Sequence, residues 1–154
     1  MRATYYIFFL CLIPFTSLGE RPDTGDDIQQ CYSGDQDAAS SVMPEDCMEA
    51  KREASEKVMK SKLNKVNEYI RKRFNDPYHL NNDENSETID EVFSQHLTVS
   101  QDAWIKSRDN LCQATVSLMG EWASSRSVAI SQCIIKLNKS RTDELEDYFI
   151  RKED

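Results

Sequence analysis

Leu97-Thr98-Val99-Ser100-Gln101-Asp102-Ala103-Trp104-Ile105-Lys106-Ser107-Arg108-Asp109-Asn110-Leu111-Cys112 is the run from which the architecture follows. Leu97, Gln101, Trp104, Arg108 and Leu111 recur at a 4,3,4,3 spacing, which lines all five along one side of a helix. A glutamine and an arginine therefore share a packing face with a tryptophan and two leucines. Polar groups on such a face need partners, because a buried guanidinium that loses its partner costs about 3 to 5 kcal/mol. Arg108 is expected to meet a carboxylate from a facing helix, or several carbonyls.

Outward from this run, the helix has readable ends. Thr88-Ile89-Asp90-Glu91 has the form of a capping box, and Gly120 suits the left-handed residue that closes a helix. Upstream, Pro44-Glu45-Asp46 opens another helix, with proline at its first position and acids facing the positive end of the dipole. Its N-cap lies among Ser40, Ser41 and Met43. Its apolar track is expected at Cys47, Ala50, Ala54 and Val58, drifting by one residue to Met59, Leu63, Val66, Ile70 and Phe74. Asn75-Asp76-Pro77 stops it, and a polar loop follows, itself a possible contact surface. Downstream, Glu121 to Arg126 form a short connection to a helix capped by Ser127 or a neighbour, with Ile130, Ile134, Leu137, Arg141, Leu145 and Tyr148 on one face. The expected fold is all-α: helices over about 44–74, 88–119 and 127–150 in an antiparallel, up-down-up three-helix bundle stapled by disulfides. Residues 20–40, acidic and rich in turn formers, form an irregular N-terminal arm.

The chain begins with Arg2, an apolar run from Tyr5 to Phe15 and Thr16-Ser17-Leu18-Gly19, the pattern of a cleaved secretory signal over residues 1–19. That run is short for a membrane span, and Cys11 lies inside it rather than after a small residue at its end, so neither insertion nor a lipid anchor is expected. A periplasmic or secreted location follows. Four cysteines remain after cleavage, an even number in an exported chain, which points to two disulfides. In an antiparallel hairpin, Cys112, eight residues before Gly120, and Cys133, six after Ser127, reach nearly the same height. Cys112 with Cys133 is the first choice of pairing, and Cys31 with Cys47 follows by elimination. Pairing Cys47 to either of the other helical cysteines stays geometrically open.

The signature residues also carry a resemblance. Ser100-Gln101-x-x-Trp104-Ile105-x-x-Arg108-Asp109-x-x-Cys112 resembles the pattern of the LprI-like lysozyme-inhibitor family of small secreted bacterial proteins. Cys31 and Cys47 resemble the first two cysteines of that family, Tyr69 the tyrosine of its first helix, and Cys133 with Arg141-Thr142-x-Glu144-Leu145 its closing segment. Two departures are visible: Met43 occupies a position often acidic in the family, and the insert around residues 75–88 is longer. The resemblance implies an exported, non-enzymatic protein that blocks a peptidoglycan-cleaving enzyme by docking.

Residue chemistry agrees with a binding protein. The chain has 19 basic and 27 acidic residues, a net charge of -8 that becomes -9 when Arg2 leaves with the signal. Such a chain repels nucleic acid and anionic membranes and attracts a basic partner, as many lysozymes are. No catalysis is expected: of the two histidines, His79 and His96, only His96 lies on an expected helix, and it neighbours Leu97 at the edge of the packing face, where a histidine is more often structural than catalytic. No metal or cofactor is expected either: there is no CxxC pair and no glycine-rich phosphate loop. Gln101, Trp104, Arg108, Asp109 and Arg141 are read as structural. Trp122, on the short connection, is then the expected partner anchor, with Arg126 beside it as a second expected partner contact. Asn138-Lys139-Ser140 matches a glycosylation acceptor, but inside a helix. Two other classes fit the same residues: a structural or chaperone-like envelope protein, and an immunity or regulatory protein for another cell-wall hydrolase.

Overall fold

The computed structural model describes residues 29–31, 43–79 and 87–149. The signal-peptide reading, most of the acidic arm and the middle of the inter-helix loop lie outside these residues. Three helices make up the body: α1 is Pro44–Arg73, α2 is Ile89–Ser117 and α3 is Arg126–Phe149. There is no strand among the described residues. An isolated bridge between Pro77 and Thr88, with Tyr78 N donating to Glu87 O at 2.9 Å and Ile89 N to Asp76 O at 2.9 Å, ties together the base of the α1–α2 loop.

The helix ends follow local chemistry. Met43 takes the N-cap of α1 without a side-chain hydrogen bond, and Glu45 and Asp46 in the first turn and Arg71, Lys72 and Arg73 in the last complement the helix dipole. The Thr88 and Glu91 capping box is formed, with Thr88 N donating to Glu91 Oε2 at 2.9 Å. At the other end of α2, Gly120 sits at φ +79°. Residues 29–31 are helical where an irregular arm was expected, held by the Cys31–Cys47 disulfide and by Lys51 Nζ donating to Gln30 Oε1 at 2.9 Å.

Contacts between helices set their directions. From α1 to α3, Met48 meets Val128 and Ile135, Asn138 bonds Ser55, and Lys62 pairs with Glu146, so the two helices run the same way. From α2, Ser94 reaches Asn67, Gln101 reaches Met59, and Arg108 reaches Glu56 and Asn138, so α2 runs against both. The most extensive packing is between the parallel α1 and α3. Two apolar clusters fill the ends of the bundle. One holds Cys31, Met48, Val128 and Ile135 with Cys47. The other holds Val66, Ile70, Leu97 and Leu145 with Phe93 and Phe149, whose rings meet edge to face at 5.3 Å.

The packing faces differ from the expected tracks in three places. On α2 the buried line is Leu97, Gln101, Arg108, Cys112 and Val116, and Leu111 is exposed. Two successive four-residue steps after Trp104 carry the seam one position on, which lets Cys112 reach Cys133. On α1, Ala50, Ala54 and Val58 are exposed, and Met48, Met59, Val66 and Ile70 are buried with Arg52 and Ser55 half-buried between them. On α3, the innermost residues are Val128, Ser131, Ile134, Ile135, Asn138 and Leu145, while Tyr148 is exposed. The α1–α3 contact accounts for Ser55 and Asn138 on these inner faces, because each supplies the other with a hydrogen-bond partner.

Candidate functional site

Between the two apolar clusters lies a polar layer built from the α2 signature. Arg108, whose side chain is 5% exposed, donates from Nη1 to Asn138 Oδ1 at 2.7 Å and from Nε to Asp109 Oδ1 at 2.8 Å. Its Nη2 lies 2.7 Å from Asp109 Oδ1 and 3.7 Å from Glu56 Oε1. The guanidinium thus has carboxylates from its own helix and from α1, and an amide from α3. Asn138, 0% exposed, passes the chain on by donating from Nδ2 to Ser55 Oγ at 2.9 Å, and Ser55 Oγ donates to Arg52 O at 2.7 Å. Every buried side-chain polar atom among the described residues has a hydrogen-bond partner.

Gln101 and Arg141 extend this layer. Arg141 Nε donates to Gln101 Oε1 at 3.2 Å, Gln101 Nε2 points to Met59 Sδ at 3.5 Å, and Arg141 Nη1 meets Glu144 Oε2 at 2.8 Å. Trp104 is half-buried, with the Arg108 and Arg141 guanidinium carbons 5.6 and 5.7 Å from its ring centroid, a cation–π arrangement. The five signature residues Gln101, Trp104, Arg108, Asp109 and Arg141 are therefore brought together and engage one another. At the edge of the layer, the Arg52 guanidinium bonds Glu49 and lies 3.3 Å from Glu56. Hydrogen bonding from Arg52, against opposing desolvation, holds the Glu49 carboxyl below the usual carboxylate range.

Sequence reasoning missed Asn138 as the hub of this layer. The signal was present: Ser131, Ile135, Asn138, Thr142 and Leu145 keep a 4,3,4,3 spacing that competes with the more apolar track through Ile130, Ile134 and Leu137. Its full burial also leaves no room for a glycan on the acceptor triplet.

The second region of note is the α2–α3 turn. Arg126 Nη1 donates to Val116 O at 2.8 Å and Gly120 O at 3.1 Å, bracketing the carbonyl end of α2. Beneath it, Cys112–Cys133 joins α2 to α3 with a Cα–Cα distance of 5.6 Å, and Cys31–Cys47 joins the arm to the first turn of α1 at 5.7 Å. Trp122 is 89% exposed and Leu118 88%. Arg126 is thus tied to the scaffold, and Trp122 faces solvent beside it. His96 is exposed on α2, and no group of three His, Cys, Asp or Glu among the described residues is arranged to hold a metal. No helix among the described residues is long and apolar enough to cross a membrane.

A small helical scaffold with two disulfides, its polar signature turned inward and an apolar turn facing solvent, has the form of a binding protein. The chain matches the family Lysozyme inhibitor LprI over residues 31–145, most of its length, and it belongs to that family. Members are inhibitors rather than enzymes, and they act outside the cytoplasm. No curated protein and no solved structure matches the chain.

Proposed function

We propose that this chain inhibits a basic, peptidoglycan-cleaving enzyme of the lysozyme type by stoichiometric docking, without turnover, after export by a cleaved signal. The observation that carries this reading is the family match across residues 31–145, which spans both disulfides and the whole polar layer. Charge supports it: the full chain carries a net charge of -8, and loss of Arg2 with the signal makes it more acidic, so it steers toward a basic enzyme over the roughly 8 to 10 Å left unscreened at physiological ionic strength. Docking needs no catalytic group, only a surface held in shape, and two disulfides hold this one.

The test is turbidimetric lysis of bacterial cell walls by a commercial basic c-type lysozyme, with the oxidised mature protein titrated in at low and moderate salt. The expected result is inhibition that saturates near equimolar protein and weakens as salt rises. Unimpeded lysis at a large molar excess refutes it.

A further inference from the structure

We infer that the end of the bundle bearing the α2–α3 turn is the surface that engages the basic enzyme, with Leu118, Met119 and Trp122 entering an apolar recess while Glu45, Asp46 and Glu121 meet cationic groups around it. This rests on the reading just given and adds the contact surface to it.

The buried members of the signature are committed to bonds within the bundle. Gln101, Arg108 and Arg141 are engaged with Met59, Asn138, Asp109, Glu56 and Glu144, so pulling any of them outward to a partner breaks the waist of the bundle. The turn is the reverse case. Leu118, Met119 and Trp122 fall within five residues, and all three are exposed. Large apolar groups clustered at one point are unlike single positions such as Val58 and Val99 on helix flanks, which are ordinary for a soluble surface.

The turn is also rigidly mounted. Gly120 at φ +79° sets its path, the Arg126 bracket closes α2, and Cys112–Cys133 staples the two helices that carry it. A position built on Gly120 as Cβ would lie 3.0 Å from Trp122 Nε1, so the indole is folded over the glycine rather than extended freely. A turn whose backbone is held before binding gives up less conformational freedom when it docks.

Charge selects the partner. At this end Glu45, Asp46 and Glu121 are exposed. Of the nearby cations, Arg52 is paired with Glu49 and Glu56, Lys51 donates to Gln30, and Arg126 is turned onto the carbonyl end of α2. The result is an apolar tip with an acidic border, complementary to a cationic surface with an apolar recess.

The experiment measures binding of the oxidised mature protein to a commercial basic c-type lysozyme by calorimetry and by association kinetics, with circular dichroism melting to verify each fold. Trp122→Ala is expected to weaken Kd by about 30-fold or more, the loss typical of a central aromatic anchor. Leu118→Ser is expected to weaken it by about tenfold, and Glu121→Lys to slow association most at low salt. Val99→Ser, at an exposed position on the flank of α2, is expected to bind like the parent protein. Tight binding by the parent and by all three turn variants overturns the surface assignment and leaves the inhibitor reading intact. No binding by the parent protein overturns both.

Discussion

Replacing Asn138 with leucine removes the residue through which α1, α2 and α3 share hydrogen bonds, while keeping the number and branching of side-chain heavy atoms. Arg108 Nη1 then loses its 2.7 Å acceptor at a site where the side chain is 5% exposed, and Ser55 Oγ loses its 2.9 Å donor. A hydrogen bond to a charged group contributes about 1.5 to 3 kcal/mol and a neutral one about 1 kcal/mol. Arg108 keeps Asp109 and Glu56, so the charge is not orphaned, and the expected loss for Asn138→Leu is about 3 kcal/mol. That is a large share of a domain stability of roughly 5 to 15 kcal/mol, and it should lower the melting temperature by roughly 10 °C. Arg108→Met alone should cost a similar amount, since the amide and two carboxylates lose their donor. The double variant replaces the buried polar contact by apolar packing and should be no less stable than either single variant, a coupling of about 3 kcal/mol. Urea denaturation followed by far-UV circular dichroism measures all three, with unchanged m-values showing that the transition is the same. Costs that add to within 0.5 kcal/mol or so would refute the polar layer as a cooperative unit.

Two further substitutions test the surroundings of this layer. Gly120→Ala forces an L side chain into φ +79° and against Trp122 Nε1, so it should cost about 1 to 2 kcal/mol and shift the fluorescence of the displaced indole; an unchanged melting temperature would contradict the turn geometry. The Glu49 carboxyl is held below its ordinary range chiefly by hydrogen bonding from Arg52. A depressed acid adds stability above its unfolded value, and that gain disappears as pH falls through the folded value. Melting temperatures of the parent should therefore exceed those of Glu49→Gln at neutral pH and converge with them in acid, and a gap that persists in acid would assign the effect to something other than ionisation.

Much of the architecture is legible in local chemistry. Thr88 with Glu91, Pro44 with its acids, and Gly120 each depend on backbone groups within a few residues, so their meaning does not need the rest of the fold. The Cys112–Cys133 pairing was legible for a related reason, because a hairpin with a short connection brings those heights together. What the chain concealed is which face of α1 and α3 is buried. Ala50, Ala54 and Val58 form a plausible apolar track, yet the inner face runs through Met48, Arg52, Ser55 and Met59. The choice is made by the partner helix: Ser55 opposite Asn138 needs a short distance and a mutual hydrogen bond, and neither shows in a periodicity count. Asn138 was hidden in the same way, as a polar residue that looks solvated until its acceptor role toward Arg108 is seen. Arg108 itself was readable, because a guanidinium on a packing face demands partners whatever the fold.

The parallel arrangement of α1 and α3 shapes how the chain reaches its native state. Ser55 and Asn138 are 83 residues apart in sequence, and Lys62 and Glu146 are 84 apart, so the most extensive interface in the molecule is also the one between the most distant segments. The α2–α3 hairpin, by contrast, closes over 21 residues and is then locked covalently. Because loop-closure entropy grows with separation, an oxidised chain should assemble the hairpin early and seat α1 last, with the ordering of the first helix governing the rate at which the whole fold appears.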